Sequence, residues 1–562
     1  MFISKKDIKT KLKLPVFQKI ITEMKSRLKD DDFTNIICYK VFLSFIYEDL
    51  SFINENEIIS HINHCKKFDK YTKGLVIYEN LMNLSISYYY GKDILPKNIK
   101  TELLDAILFL SDFTENHGGG EMNPSFKSNW QGIRWSSVGF SNIILGRDEK
   151  VVKSFIKILK FIEEYNLSKG SGWCSEGQDY NSYSWCHICP FLALLEEYEP
   201  NLKWRKEYNI EPILLTSYLT ITFREYLDKK GLGIHNIVST NKLSRRGFLP
   251  LAFHFCDKKL LPGIKYCFDR TQGELGDNTF SRSNIGLIFT FLYYPYDIES
   301  KNPLEIPSWK SYFNDIDGQG TMVDRDRYND ENDIVSVFHY RNDLVERRSW
   351  ASTSIDDMTF KVCGYDTSWI IGAGKVNKEI VNSTVFSDFP SVDLFRKTGL
   401  SVEEHYVEKE EFRSIYYGKL KESKTGVINW ERCFMSDVKN SIWVVNDISD
   451  NGRYISIPTS LNLYVNLYKN EFTIVNKNNG MKLHCVFLND VNIETHLFNV
   501  SEYYNNGVLL SKAKNIICEF DKNNLMFFYI APENINYKYL FKKNILDIDS
   551  NKYKIGKHIQ WI

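Results

Sequence analysis

The chain has no apolar run approaching the ~18–20 residues that a membrane-spanning helix needs, so nothing in it reads as a transmembrane segment. It has no excess of either charge. With 71 Lys and Arg against 71 Asp and Glu the net charge is zero, which removes the global basic field that would hold nucleic acid or an anionic membrane. Any anionic partner has to be met by a local site. The start, MFISKKDIKTKLKLPVF, lacks the continuous apolar stretch and small-residue cleavage site of a signal peptide, so the chain reads as cytoplasmic. A secreted or periplasmic protein whose leader had been removed would read the same way. The 11 cysteines, an odd number scattered over 562 residues, suit a reducing compartment better than a disulfide scaffold. No signature recurs at about 34 or 40 residues, which argues against tetratricopeptide or HEAT arrays.

What is present is an ordinary folded composition, 43% hydrophobic and 25% charged, in a chain too long for one hydrophobic core. The first half has helical texture. In VVKSFIKILKFIEEY the residues Val152, Phe155, Ile156, Leu159 and Ile162 recur at three- and four-residue steps, which predicts an amphipathic helix with these residues as its buried stripe. ELLDAILFL, ICPFLALLEEY, ILLTSYLTITFREYL, FLPLAFHF and IGLIFTFLYY repeat that texture, and consecutive hairpins of this kind build a helical array or closed toroid. The second half changes period: Leu461, Leu463, Val465 and Leu467 alternate with polar residues, and SIWVVND, EFTIVNK, KLHCVFL, NIICEF and LMFFYIAP continue as strands between asparagine-rich turns. Strands after helices predict an α+β multidomain chain, with residues 1–310 helical and 311–562 an antiparallel β-sandwich, divided in the proline- and glycine-rich stretch near 300–320.

Chemistry concentrates in two segments flanking the 151–165 helix, NPSFKSNWQGIRW (123–135) and GSGWCSEGQDYNSYSW (170–185). Their tryptophans and tyrosines suit stacking on sugar rings, and their amides and guanidinium suit hydroxyls and carboxylates. The competing reading is aromatic core packing with Asn and Gly forming turns.

Asn129–Trp130, then a small-residue helix, a second helix and GW-x-SEG-x-x-Y-x-x-Y from Gly172 to Tyr183 resemble the heparinase II/III-like polysaccharide lyases and their alginate-lyase relatives. The resemblance implies an (α/α) toroid followed by an antiparallel β-sandwich, the architecture that the order of helices and strands suggests independently. It also implies that Asn129 binds the uronate carboxylate and that a tyrosine of the Y-x-x-Y pair, Tyr180 or Tyr183, is the catalytic one. The 54-residue separation from Asn129 favours Tyr183. Removing the C5 proton of a uronate builds charge beside an existing carboxylate, so donors must disperse it. A phenol, ordinarily near pKa ~10, serves as base only if its surroundings favour the phenolate, and it can then protonate the leaving oxygen.

Helpers are expected around this pair. His187, four residues after Tyr183, shares its helical face and is a candidate to lower the phenol's pKa; the alternative is a buried structural histidine. Trp130, Trp135 and Tyr180 are candidate stacking residues, Arg134, Arg245 and Arg246 candidate carboxylate binders, and Glu176 a substrate-orienting group. In the β half, NDIVSVFHYRNDLVERRSW offers His339 as a catalytic contribution and Arg341 as a substrate contact, against the alternative of a salt-bridged strand pair. The family's H-x-H-x-D-like run and its later His-Asn-Thr run are missing, which puts the subfamily in doubt. No cofactor is expected, with a divalent metal in the β half left open. Cys186-His-Ile-Cys189 has no second pair at zinc spacing and reads as buried thiols, and HGGGEMNP (117–124) lacks the ending of a phosphate loop and reads as a flexible rim before Asn129. The expected partner is an acidic polysaccharide, with no nucleic acid or membrane; the sequence does not set the oligomeric state. The expected activity is β-elimination on a uronate-containing glycan. The alternatives are C5 epimerisation, a glycoside hydrolase built on Glu121, Glu176 or Asp179, and a non-catalytic carbohydrate-binding protein.

Overall fold

A computed structural model describes residues 3–28, 36–120, 122–166, 178–219, 221–226, 229–234, 246–271, 284–310, 321–329, 332–339, 358–371, 383–390, 402–423, 425–505, 508–521 and 523–562. The chain divides into two compact units, residues 1–216 with 245–300 and residues 217–244 with 301–562.

The helices run in chain order α1 (Lys5–Lys11), α2 (Pro15–Arg27), α3 (Ile36–Tyr47), α4 (Glu55–Cys65), α5 (Gly74–Gly91), α6 (Lys97–Asn116), α7 (Asn129–Leu145), α8 (Asp148–Tyr165), α9 (Gln178–Tyr198), α10 (Glu211–Leu219), α11 (Ala252–Phe255), α12 (Leu261–Thr271) and α13 (Asn284–Tyr293). In the first unit α3 packs on α5, α5 on α7, α7 on α9, α9 on the 3-10 turn Arg246–Leu251, that turn on α13, and α13 back on α3. These contacts close a ring. Outside it, α6 packs on α4, α5 and α7, and α8 packs on α7. This is the toroid of hairpins that the helical texture predicted. Lys11 seals the closure: its ammonium donates to the carbonyls of Phe291 (2.6 Å) and Leu292 (2.5 Å) at the end of α13, and burial lowers its pKa to about 8.

Three local expectations need correction. On α8 the buried edge is Val151, Ser154, Ile158, Phe161, Ile162 and Tyr165, whereas Val152 and Ile156 are each 57% exposed. The stripe is turned by one residue where α7 offers a glycine to it: a Cβ on Gly132 would lie 2.8 Å from the Phe161 ring. ILLTSYLTITFREYL is not one helix. It breaks after Leu219 into a hairpin, Ile221–Tyr226 with Lys229–Ile234, where β-branched and aromatic side chains favour the strand. FLPLAFHF is half a 3-10 turn, ending at Leu251, and half the short helix α11, because Pro250 lacks the N–H that an α-helix interior needs.

The second unit is built of antiparallel sheets. Its eight-stranded sheet runs, in order of pairing, Tyr464–Leu467, Glu471–Asn476, Met481–Phe487, Asn523–Pro532, Ile442–Ile448, Ile428–Asp437, Arg413–Glu422 and Val402–Lys409. One face buries Trp443, Phe434 and Phe528 in a core shared with Phe338, Phe360, Ile457 and Ile516 from two four-stranded sheets. The other face buries Val444, Phe527 and Tyr529 under Leu546, Ile548 and Tyr553 of the C-terminal four-stranded sheet. Burial on both faces explains why SIWVVND and LMFFYIAP are continuous apolar runs, with successive residues serving opposite cores. At the centre Arg432 donates to both oxygens of Asp447 (2.6 and 3.0 Å) and to the carbonyls of Met358 and Ser383.

Candidate active site at the N-terminal ends of α5, α7 and α9

Three inner helices run side by side in the same sense. The Tyr183 hydroxyl on α9 donates to the Glu79 carboxylate near the start of α5, and the Tyr89 hydroxyl late in α5 donates to Glu197 (3.0 Å) late in α9. The Tyr89 ring also meets Phe140 of the intervening α7 edge-on at 6.4 Å. The first residue of α7, Asn129, therefore lies at the end of the bundle where Glu79 meets Tyr183. Close packing of α7 on α9 depends on glycine, since a Cβ on Gly139 would sit 2.4 Å from the Phe191 ring.

Local hydrogen bonds shape the approach to Asn129. The Asn123 side chain accepts from the Ser125 amide (3.1 Å), the Ser125 hydroxyl from the Lys127 amide (3.2 Å), and the Asn123 carbonyl from the Gln131 side chain (2.6 Å). Asn129 itself is buried, with the Ser128 hydroxyl 3.4 Å from its amide oxygen. Trp130 is half-buried, with the Lys73 ammonium 5.8 Å from its ring centre. Tyr180 is half-buried on the first turn of α9. The His187 ring meets the Tyr183 ring edge-on at 5.4 Å, and its Nδ1 lies 3.0 Å from the Tyr183 carbonyl oxygen. That carbonyl can only accept, so Nδ1 carries the hydrogen.

Arg134 and Trp135 take other places. The Arg134 guanidinium donates to the carbonyls of Thr114 and Glu115 (both 3.0 Å) at the end of α6 and lies against the Met122 sulfur, so it is committed to holding the chain between α6 and α7. Burial lowers its pKa. Trp135 is buried, its indole N–H donating to Gln131 (3.1 Å) and its ring lying 5.0 Å from the Arg134 guanidinium. Within HGGGEMNP the glycines 118–120 lie against the chain at Thr72–Tyr78. The Tyr78 hydroxyl, pushed up to about 12 by burial, donates to the Gly118 carbonyl, and the Gly120 amide donates to Thr72 (2.8 Å). Gly118 and Gly119 have φ of +72° and +91°, and a Cβ on Gly119 would meet Gly74 at 2.7 Å, so glycine is needed for the backbones to touch.

Arg245, Arg341 and Glu176 lie outside the described residues. Arg246 opens the turn Arg246–Leu251, and His339 ends the strand Val335–His339 between Thr321 and Thr359, but the side chains of both lie outside the described residues as well. Cys186 and Cys189 are buried, and burial pushes the Cys189 thiol well up, out of the reactive thiolate range. Among the described residues no group of three or more His, Cys, Asp or Glu side chains is placed to hold a metal ion, and no helix is long and apolar enough to cross a membrane. Sequence reasoning missed Glu79. It weighed Glu121, Glu176 and Asp179, whereas Glu79 sits inside GLVIYENLMN, where a carboxylate in an otherwise uncharged helix was the available signal.

Solved structures share this fold along nearly the whole chain. A crystal structure of heparinase III matches 94% of this chain and 82% of its own, with TM-score 0.58 at 13% identity. A second heparinase III matches all of this chain and 90% of its own (TM-score 0.54, 11% identity), and a Paenibacillus xanthan lyase matches all of this chain and 61% of its own (TM-score 0.54, 10% identity). The chain has the heparinase-like polysaccharide lyase fold. No protein-family model and no curated protein matches the sequence.

Proposed function

We propose that the chain is a polysaccharide lyase that cleaves a uronate-containing glycan by β-elimination. The observation that carries this reading is the collection of a buried amide, Asn129, and a phenol, Tyr183, at one end of neighbouring inner helices. The fold shared with heparinase III and xanthan lyase supports it.

In this mechanism Asn129 donates to the uronate carboxylate, and the positive ends of the helix dipoles add to the stabilisation of charge as C5 loses its proton. Tyr183 takes that proton and returns one to the leaving O4, so a single residue serves both half-reactions. Trp130 and Tyr180 offer faces for sugar rings, with Lys73 beside Trp130 for a carboxylate. His187 orients Tyr183 through their ring contact. Glu176, Arg245, Arg246, Arg341 and His339 remain proposed substrate contacts, His339 with a catalytic part. The substrate is an acidic polysaccharide.

Product analysis on a panel of uronate polymers tests the reading. Elimination leaves an unsaturated uronate at the new non-reducing end, lighter by one water than the hydrolytic product. New reducing ends without that product would mean hydrolysis, and deuterium uptake at C5 without chain cleavage would mean epimerisation; either would overturn the proposal.

A further inference from the structure

The proposed mechanism, on which this inference rests, asks a neutral phenol to act as a base. The Tyr183 hydroxyl donates to the carboxylate of Glu79. A standing phenolate there would place two negative charges in contact, which disfavours it. The geometry points to a different use of the pair. We propose that Glu79 receives the Tyr183 hydroxyl proton as Tyr183 takes the C5 proton, and returns it when Tyr183 protonates the leaving oxygen.

The step balances. The C5–H bond breaks, its electron pair moves toward the carboxylate held by Asn129, and the proton forms a new O–H bond on Tyr183. The former Tyr183 O–H bond breaks as its proton joins a Glu79 oxygen. The electron pair released at C5 then forms the C4–C5 double bond as the C4–O bond breaks and its pair leaves on O4, O4 takes the proton from Tyr183, and Tyr183 recovers its own from Glu79. The tyrosine and glutamate together never carry more than one negative charge.

The surrounding elements suit this role. Glu79 is half-buried and its backbone is fixed by the Asn83 side chain, which donates to the Glu79 carbonyl at 2.7 Å. Among the described residues, ionisable groups on these elements include His187 and Tyr180 on α9, Tyr78 on α5, Lys73 ahead of α5 and Arg134 on α7; Tyr78 is tied to Gly118 and Arg134 to α6. Glu79 acts through Tyr183 and is a positioning residue for the reaction.

Two measurements test it. First, 3-fluorotyrosine placed at position 183 alone, in a His187→Gln background that removes the imidazole, is titrated by fluorine NMR. The label should report two inflections, its own and that of a carboxylate partner, and Glu79→Gln should abolish the second; a single inflection unchanged by Glu79→Gln overturns the proposal. Second, on whichever uronate polymer yields unsaturated product, Glu79→Gln keeps a hydrogen-bond acceptor but cannot take a proton. Its kcat should fall about 100-fold or more with KM within about threefold, and Glu79→Asp should recover part of the loss. A Glu79→Gln kcat within about threefold of wild type overturns the relay. If no polymer yields unsaturated product the lyase reading fails, and the fluorine titration still decides whether the pair shares a proton.

Discussion

Tyr183 donates its phenolic hydrogen to Glu79 across the start of α7, joining the two helices that flank Asn129. Tyr183→Phe removes that hydroxyl and leaves the ring and its contact with His187 in place. Turnover should fall by about 100-fold or more while thermal unfolding changes little, since the partly buried hydrogen bond to Glu79 is worth about 1 kcal/mol. A calorimetric scan beside the rate assay separates the two effects.

Arg134 distinguishes a scaffold arginine from a substrate arginine. Its donors serve the carbonyls ending α6, so Arg134→Lys, which lacks the planar fork, should lower stability by roughly 1–3 kcal/mol. KM should stay within about threefold of wild type. Urea unfolding and steady-state kinetics check this: unchanged stability with a raised KM would return Arg134 to the substrate.

In the second unit, Arg432→Met strands Asp447 in the core and should cost roughly 3–5 kcal/mol, measured as a drop in the denaturant midpoint of that unit. The double change Arg432→Met with Asp447→Leu should lose less than Arg432→Met alone, because no charge is left buried without its partner.

Glu196 gives a pH signature. Burial works to raise its carboxyl, but hydrogen bonds from His254 and Arg205 outweigh that and hold it at about 2. A carboxyl depressed by folding adds stability above its unfolded pKa of ~4.3, and that stability is lost as pH falls through the folded value. Glu196→Gln should therefore be less stable than wild type at neutral pH, and the gap should close between about pH 4.5 and 2. Urea titrations at several pH values read it directly.

The order of helices then strands was legible because periodicity survives in each segment, and the segments that carry Asn129 and Tyr183 stood out because their aromatic and amide residues are clustered locally in sequence. Arg134, Trp135 and Glu79 were not. The first two carry residue types common to binding sites, and only the tertiary placement of the α6 carbonyls and of Gln131 shows that their polar groups are engaged inside the protein. Glu79 stands 104 residues from Tyr183, so nothing near either residue in the chain announces the pairing. The face of α8 was misjudged for a similar reason: both faces carry apolar residues, and the packing of α7, with Gly132 against Phe161, decides which one is buried.

The most direct test of the account is the ultraviolet absorbance of unsaturated uronate formed from a panel of uronate polymers by wild type and by Tyr183→Phe. The account predicts that absorbance rises on at least one polymer with wild type and is nearly abolished in Tyr183→Phe. A rise that persists in Tyr183→Phe, or chain cleavage by wild type without any rise, would contradict it.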